Sequence, residues 1–222
     1  ANEGQVFALI SSDKKKGVLL ELNSETDFVS RKDEFKSTLK KISKIAIGNS
    51  LENKEKLLNF NFDNGKSVND IILDLISIYG ENISIGKYKY ISVKDGFLES
   101  YVHGGDSGKI GTIVHYSGNE SELGRDIAIH ITAMNPKYIN FECIPHEDIE
   151  HERNIFNSEV FNSNLNKPKN ILDKIVDGKI DKYFSKLVLY RQDFVKSPEF
   201  KVKDIIKNKI DILKYYRFEV KK

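Results

Sequence analysis

Several stretches of the sequence carry residue types that could do chemistry, but most of them fail on spacing. The run from Gly104 to Lys109 superficially resembles a phosphate-binding loop. It lacks the first glycine at the required position, and Ile110 stands where a Ser or Thr would hold magnesium. It also precedes a strand-like run, so no helix N-terminus would face a phosphate. We interpret this run as a hairpin turn.

A metal site is equally poorly supported. Cys143 and His146 are close in sequence, and His151 follows further along the same helical run. The spacing of the two histidines differs from that of a zinc-binding helix motif, and one cysteine cannot form a structural zinc set. No arrangement of nucleophile, histidine and carboxylate stands out either. We therefore predict that the chain is not an enzyme, and we expect no catalytic residues, no metal and no cofactor.

The most informative stretch is the polar loop at residues 23–29, which joins a strand-like run to a helical run. Loops at such junctions often display functional groups. One interpretation makes Phe28 or Val29 a hydrophobic staple that packs back on the first helical turn. The other makes Phe28 an exposed probe for a partner. His103, at a strand end before a Gly-Gly turn, is a weaker candidate of the second kind.

The elements around this loop follow from turn residues and apolar periodicity. Residues 5–10 and 17–22 predict a β-hairpin with a polar turn. A helix from about Arg31 to Ile47 follows, with Ser30 and Asp33 as a capping box. Later elements are a short helix or loop at 51–60, a helix at 67–79 with Ser67 as N-cap and Gly80 as its end, and a strand at 83–93.

The order hairpin, polar loop and helix recurs roughly 90–95 residues further on, which indicates an internal repeat. The second copy has strands at 97–103 and 110–116 and a helix that ends at Asn135. Its junction at 119–122 contains no aromatic residue, which weakens the staple interpretation of Phe28. We therefore predict an α+β fold with two related subdomains, each an antiparallel sheet with packed helices.

The last third of the chain is predicted to add an antiparallel helical hairpin. Residues 146–163 and 168–190 are charged segments with apolar stripes, joined at Leu165 to Pro168. Because the apolar face is short, we expect the hairpin to protrude from the body. A short helix at 202–208 and a last strand at 215–220 would follow. The predicted domains are residues 1–94 and 95–222, the second with the hairpin 146–190 inserted.

Composition places the chain among folded proteins and gives no electrostatic case for nucleic acid. The 35 Lys and Arg residues nearly balance the 33 Asp and Glu residues, whereas a basic binding face normally raises the net charge. The single cysteine excludes an intramolecular disulfide and fits a reducing compartment. No apolar run approaches the ~20 residues of a membrane span, and no signal peptide is visible. Since Ala1 lies almost directly before a strand, we expect a fragment of a longer protein.

One ordered set of motifs resembles a known family. The run from Gly17 to Asn23, followed by Glu25-Thr26-Asp27-Phe28-Val29, resembles the signature of translation elongation factor Ts. The order and number of further matches make the resemblance specific. These matches are Gly80-Glu81-Asn82-Ile83, Tyr101-Val102-His103-Gly104, Ile129-His130-Ile131, Asn135-Pro136-Lys137-Tyr138-Ile139, Lys167-Pro168, Ile175-Val176-Asp177-Gly178-Lys179, Gln192-Asp193-Phe194-Val195 and Arg217-Phe218-Glu219-Val220.

The resemblance implies a guanine nucleotide exchange factor for the GTPase elongation factor Tu, with no direct nucleotide binding by the chain itself. In that family the Asp-Phe pair of the loop enters the GTPase near its magnesium. By position, Asp27 and Phe28 are the wedge, with Thr26 and Val29 setting its shape. The resemblance places further partner contacts at Ile83, Ile85, His103, Gly104, Val195 and Lys196.

The resemblance also implies that the hairpin at 146–190 can serve self-association. Because no targeting segment is visible, we expect the bacterial cytoplasm, with an organellar matrix as the alternative. No membrane or DNA partner is expected. The family's N-terminal helical module would lie before Ala1. The competing interpretation is a non-catalytic ribosome- or RNA-associated interaction module, which the lysine-rich C-terminal end supports.

Overall fold

The computed structural model describes residues 2–164 and 166–221. Leu165, at the predicted joint of the helical hairpin, lies outside the described residues. The chain divides into two compact units. One runs to Ala133 and resumes at Asn208, and the other is Met134–Lys207. The predicted domain boundary at residue 94 and the protrusion of the hairpin stay predictions.

Eight strands and eight α-helices are described in residues 2–164 and 166–221. In chain order they are β1 (Glu3–Ile10), β2 (Lys16–Ser24), α1 (Asp27–Ser30), α2 (Asp33–Gly48), α3 (Lys54–Asn59), β3 (Asn61–Asp63), β4 (Lys66–Ser67), α4 (Val68–Tyr79), β5 (Ser84–Ser92), β6 (Phe97–His103), β7 (Ile110–Ser117), α5 (Ser121–Met134), α6 (His146–Ser163), α7 (Lys169–Ser185), α8 (Val202–Ile206) and β8 (Asp211–Glu219). Short 3₁₀ turns lie at Phe141–Cys143 and Leu189–Arg191.

Two three-stranded antiparallel sheets repeat one topology. The first has the order β1-β2-β5 and the second the order β6-β7-β8. In each, a hairpin is followed by a helix, and a later strand then pairs antiparallel with the second strand of the hairpin. This arrangement confirms the predicted α+β fold with two related sheet subdomains.

The central strand β2 supplies both faces of the core of this unit. Because strand side chains alternate, Leu20 and Leu22 point to one face and Leu19 to the other. Leu20 and Leu22 pack with Phe35 of α2 and with the apolar side of α4. Leu19 packs with residues of β6 and β7, including Ile113. Each buried aliphatic or aromatic side chain of this kind contributes about 1.5–3 kcal/mol, so β2 is the strand on which both sheets depend.

Helix α4 has the ends that its sequence predicts. Ser67 is the N-cap, and its hydroxyl accepts a hydrogen bond from the backbone N–H of Asp70 at 3.2 Å. The Asp70 carboxylate in turn accepts from the backbone N–H of Ser67 at 2.8 Å. That hydrogen bond is the main reason why the pKa of Asp70 is lowered from its ordinary value. Gly80 ends the helix with φ +67°, a conformation that glycine adopts without strain.

Two local predictions are wrong. Ser30 does not cap α2: it is buried at the end of the separate turn α1, its hydroxyl donates to the carbonyl of Asp27, and Lys32 precedes α2 without a side-chain cap. The second error is an omission, because residues 61–67 form a small hairpin of β3 and β4. Its turn is Asn64-Gly65, both with positive φ. This dipeptide is a strong hairpin signal that the sequence offered.

The second unit contains the predicted helical hairpin. Helices α6 and α7 run antiparallel, since Arg153 of α6 pairs with Asp177 of α7 at 2.8 Å while Phe161 and Lys169 line one groove near the joint. Val160, Val176, Ile180 and Phe184 form its buried seam. Helix α7 ends at Ser185, earlier than the predicted segment 168–190.

The Ser67 cap yields the first testable prediction. Ser67→Ala removes the oxygen that satisfies the Asp70 N–H, so we expect the free energy of unfolding to fall by about 1 kcal/mol. The measurement is urea denaturation followed by circular dichroism. Ser77→Ala, an exposed position of the same helix, is the matched control and should change stability by less than about 0.5 kcal/mol. Equal losses in both variants would contradict the capping role.

Candidate functional site

Most residues of the candidate loop tip lie on a single helical turn, α1. Strand β2 ends at Ser24, and Thr26 has an extended backbone (φ −122°, ψ 156°) before α1 begins at Asp27. The backbone N–H of Arg31 donates to the carbonyl of Asp27 at 3.1 Å, which closes the turn. Because α1 is separate from α2, the chain presents these residues on a tight turn of their own.

The carboxylate of Glu81 holds the start of this turn. Thr26 donates two hydrogen bonds to it, from its backbone N–H to Oε2 at 3.1 Å and from its hydroxyl to Oε1 at 2.5 Å. The hydroxyl is therefore engaged elsewhere, and α1 has no side-chain cap. Hydrogen bonds to a charged acceptor are roughly twice as strong as neutral ones. Glu81 thus fixes both the backbone and the side chain of Thr26.

A third hydrogen bond runs in the opposite direction. The backbone N–H of Asn82 donates to Oε1 of Glu25 at 3.0 Å. We name Glu25, Thr26, Glu81 and Asn82, with these three hydrogen bonds, the Glu81 clamp. Sequence analysis did not assign a role to Glu25 or Glu81. The available signal was a carboxylate directly after the helix-ending Gly80, within a run that matches the family.

Phe28 and Val29 have opposite environments. Val29 is only 6% exposed and packs in the core with Leu22 and Phe35, whereas the ring of Phe28 is 79% exposed. The staple interpretation is therefore wrong for Phe28, and Val29 is the residue that packs inward. A large apolar side chain held in water on a pinned turn is typical of an anchor for a partner surface.

Asp27, next to Phe28, forms only a weak ion pair. Its carboxylate pairs with Arg31 at 3.1 Å, and both side chains are well exposed. Exposed pairs of this kind contribute about 0–1 kcal/mol. The Asp27 carboxylate can therefore leave Arg31 for a stronger cation at little cost.

The segment Ile83–Ile85 does not offer its isoleucines to a partner. Both side chains are buried in the core that contains Leu22 and Val29, and the exposed positions beside them are Asn82 and Ser84. These isoleucines directly follow Asn82 of the clamp, and they anchor this segment in the core. Their assignment as partner contacts stays a prediction, and any such contact would involve the backbone or Ser84.

His103 and Gly104 lie at the exposed turn between β6 and β7. The hydroxyl of Tyr101 lies 3.3 Å from Nδ1 of His103. Gly104 has φ +117°, in the region that favours glycine. At Gly108, a Cβ atom would approach the carbonyl oxygen of His103 to 1.9 Å, so that position also requires glycine.

Two contacts fix this turn to the first sheet and its helix. Val6 of β1 and Gly108 exchange backbone hydrogen bonds of 2.6 and 3.1 Å. Lys40 of α2 donates to the Asp106 carboxylate at 2.8 Å, and this bond lowers the pKa of Asp106 from its ordinary value. The helix that follows the Phe28 turn therefore also contacts the turn that carries His103.

Val195 and Lys196 belong to the other unit. Val195 is half-buried and Lys196 is exposed. Their loop is closed by hydrogen bonds from the N–H of Phe194 to the carbonyl of Phe200 at 2.8 Å and from the N–H of Ser197 to the carbonyl of Phe194 at 3.0 Å. Their role as partner contacts stays a prediction.

The described residues include neither a metal-binding cluster nor a membrane-spanning helix. In that part of the chain, no group of three or more His, Cys, Asp or Glu residues is arranged to hold a metal ion. Cys143 is exposed, and His146 lies 4.0 Å from Glu150 on the same helix. No helix within residues 2–164 and 166–221 is long and apolar enough to cross a membrane.

Comparison with known proteins places this sequence in a family. The sequence model of the family described as Elongation factor TS matches residues 25–222. Elongation factor Ts of Aquifex aeolicus is 37% identical, with 98% of this chain and 79% of that protein covered. The proteins of the same name from Halothermothrix orenii and Methylococcus capsulatus are 38% and 35% identical, each with 99% of this chain and 74% of the relative covered. Because the match spans nearly the whole chain at this identity, the chain belongs to the elongation factor Ts family.

Proposed function

We propose that this member of a family of translation elongation factors promotes the release of GDP from elongation factor Tu by inserting the Thr26–Val29 loop near the magnesium and phosphate site. GTP then binds to the emptied GTPase. The observation that supports the proposal most strongly is the ring of Phe28, 79% exposed on a turn that the Glu81 clamp holds in place.

The clamp makes the wedge pre-organised. Ordering a flexible loop on binding would cost about 0.5–1.5 kcal/mol for each immobilised side chain. Here Thr26 is already fixed by Glu81, and Val29 is already anchored in the core. Most of the free energy of burying Phe28 is then available to displace groups of the partner.

The target chemistry suits the two residues at the tip. In nucleotide-binding GTPases, magnesium bridges phosphate oxygens and helps to hold the nucleotide. An apolar ring pushed into that region shifts the groups that hold the ion. The Asp27 carboxylate, which is only weakly paired with Arg31, is an oxygen ligand of the type that Mg²⁺ prefers. Together they weaken GDP binding.

Exchange by this route needs no covalent step. If the bound chain weakens GDP binding by some factor, GDP weakens binding of the chain by the same factor. The chain then acts by shifting an equilibrium, as a nucleotide exchange factor without enzymatic chemistry. It need not bind nucleotide itself.

The remaining predicted contacts have supporting roles in this proposal. The exposed His103 and the backbone of Gly104 form a second contact region on the same unit. Val195 and Lys196 form a third on the other unit. The hairpin of α6 and α7 is available for self-association.

Phe28→Ala is the central test. We expect stimulated GDP release from elongation factor Tu to fall about tenfold or more, because truncating an aromatic anchor typically costs 2 kcal/mol or more. The measurement is stopped-flow release of a fluorescent GDP analogue. The free energy of unfolding should change by less than about 0.5 kcal/mol, because the ring is exposed.

The matched control is Phe161→Ala, which removes an exposed phenylalanine from the helical hairpin. It should leave GDP release near the wild-type rate. If the unaltered chain does not accelerate release at all, exchange is the wrong function. Salt-dependent RNA binding by that inactive chain would then favour the ribosome- or RNA-associated interaction module.

Glu81 is predicted to act as a positioning residue through Phe28. Glu81→Ala should lower stimulated GDP release about three- to tenfold, because Thr26 loses both hydrogen bonds and Val29 alone then anchors the turn that carries Phe28. Glu81→Gln should lie between the wild-type chain and Glu81→Ala, because its amide keeps one acceptor oxygen.

A double-mutant cycle separates positioning from general damage. In the Phe28→Ala background, Glu81→Ala should cause little further loss of GDP release, because the ring that it positions is already gone. A loss of the same size in both backgrounds would show that Glu81 acts on the fold as a whole.

A further inference from the structure

A row of lysines lies along the seam between the two sheets, away from any role in the proposed exchange. Strand β5 is an edge of the first sheet, and β8 is an edge of the second. Lys87 and Lys89 of β5, with Lys214 of β8, are exposed. We name these three residues the seam lysines.

The seam lysines stand over aromatic rings of β8. The ammonium of Lys87 lies 5.9 Å from the ring centroid of Phe218, and those of Lys89 and Lys214 each lie 5.5 Å from that of Tyr216. Lys87 and Lys89 are two residues apart on one strand, so their side chains point the same way about 6.6 Å apart. The ring of Tyr216 therefore lies close to two of the three cations, and the ring of Phe218 lies close to the third.

Within the described part of the chain, none of the seam lysines forms an ion pair with a carboxylate, although Lys87 donates to the carbonyl of Glu219 at 3.3 Å. Two acidic side chains of the cleft that Lys87 lines already have partners. Glu219 pairs with Arg217 at 2.9 Å, and Glu3 pairs with Lys109 at 3.0 Å.

The row continues into a cleft of about 590 Å³ at the end of β8. Lys87 belongs to both the row and the cleft. The cleft adds the basic side chains of Lys109, Arg217 and Lys221, and Lys109 and Arg217 are paired with its two carboxylates. Lys221 therefore extends the basic surface beyond the three seam lysines.

We propose that the seam lysines and the rings beneath them bind single-stranded RNA. Proteins that hold single strands combine cations that follow the phosphates with aromatic faces on which bases stack. Tyr216 and Phe218 are half-buried and pack against the core that contains Leu19 and Ile113. When an ammonium turns from its ring to a phosphate, the part of the ring that it covered becomes available to a base. An acidic protein surface would use the cations but would have no use for the rings. The inference does not depend on the proposed exchange function.

Fluorescence anisotropy with a labelled, unstructured 20-nucleotide RNA tests this proposal. Three phosphate contacts predict a slope of about −2 for log affinity against log salt concentration. Binding should therefore weaken by on the order of tenfold between 50 and 200 mM KCl. The triple variant Lys87→Ala, Lys89→Ala, Lys214→Ala should bind at least tenfold more weakly at 50 mM KCl.

The control triple variant is Lys44→Ala, Lys54→Ala, Lys203→Ala, which removes the same net charge from exposed lysines elsewhere. It should stay within about threefold of the unaltered chain. Equal weakening in both triple variants, or no RNA binding at 50 mM KCl, overturns the proposal. Lys214→Glu, one exposed change on an edge strand, repeats the test if the triple variant does not fold.

A second arm separates RNA from other anionic partners. Tyr216→Leu keeps apolar volume but removes the ring, so it should weaken RNA binding about fivefold or more and leave binding of inorganic polyphosphate unchanged. The RNA assignment would be overturned if polyphosphate bound as tightly as RNA and Tyr216→Leu did not weaken RNA binding.

Discussion

The geometry of the candidate site depends on one carboxylate. Glu81 follows the glycine that ends α4, and it accepts both hydrogen bonds that Thr26 can offer. Without that acceptor, the backbone N–H and hydroxyl of Thr26 would need other partners, and the turn that carries Phe28 would lose one of its two anchors. Val29 supplies the second anchor because its side chain is buried in the core. An exposed ring is useful for displacing groups of a partner only when its support does not yield, and these two anchors provide that support.

The clamp is in turn a product of the sheet. Thr26 follows β2 and Glu81 precedes β5, and these two strands pair antiparallel, so that Asn23 lies opposite Ser84. The register of the pair brings the end of one strand beside the start of the other, which places residues 25–26 within reach of residues 81–82. The cores on both faces of β2 hold that register, because a slip by one residue would exchange the side chains that β2 sends into the two cores. Stability of the fold and precision of the loop therefore have the same origin.

The sequence predicts the repeated elements well and the tip of the site only in part. Alternating strands, the Ser67 cap and the stop at Gly80 are local signals, and each appears where it was predicted. The capping box at Ser30 fails because Val29 and Ser30 are drawn into the core, which detaches one turn from α2. That outcome depends on tertiary packing, which no local pattern encodes. The burial of Ile83 and Ile85 was missed for the same reason: their spacing shows that they share a face of the strand, but not which face is covered.

The net charge of the sequence does not show where a charged surface lies on the folded chain. A total of +2 suggests an evenly neutral chain, but the sum says nothing about which charges are paired. At the seam, Arg217 forms an ion pair with Glu219, and Lys109 forms one with Glu3. Lys87 and Lys89 of β5 and Lys214 of β8 are far apart in sequence, and they meet because side chains of the two strands come into contact in the fold. Lysines on edge strands also discourage pairing with other strands, so protection of the edges and a basic surface arise from the same residues. Edge protection does not require aromatic rings beside these lysines. The rings are therefore the feature that favours a nucleic-acid partner.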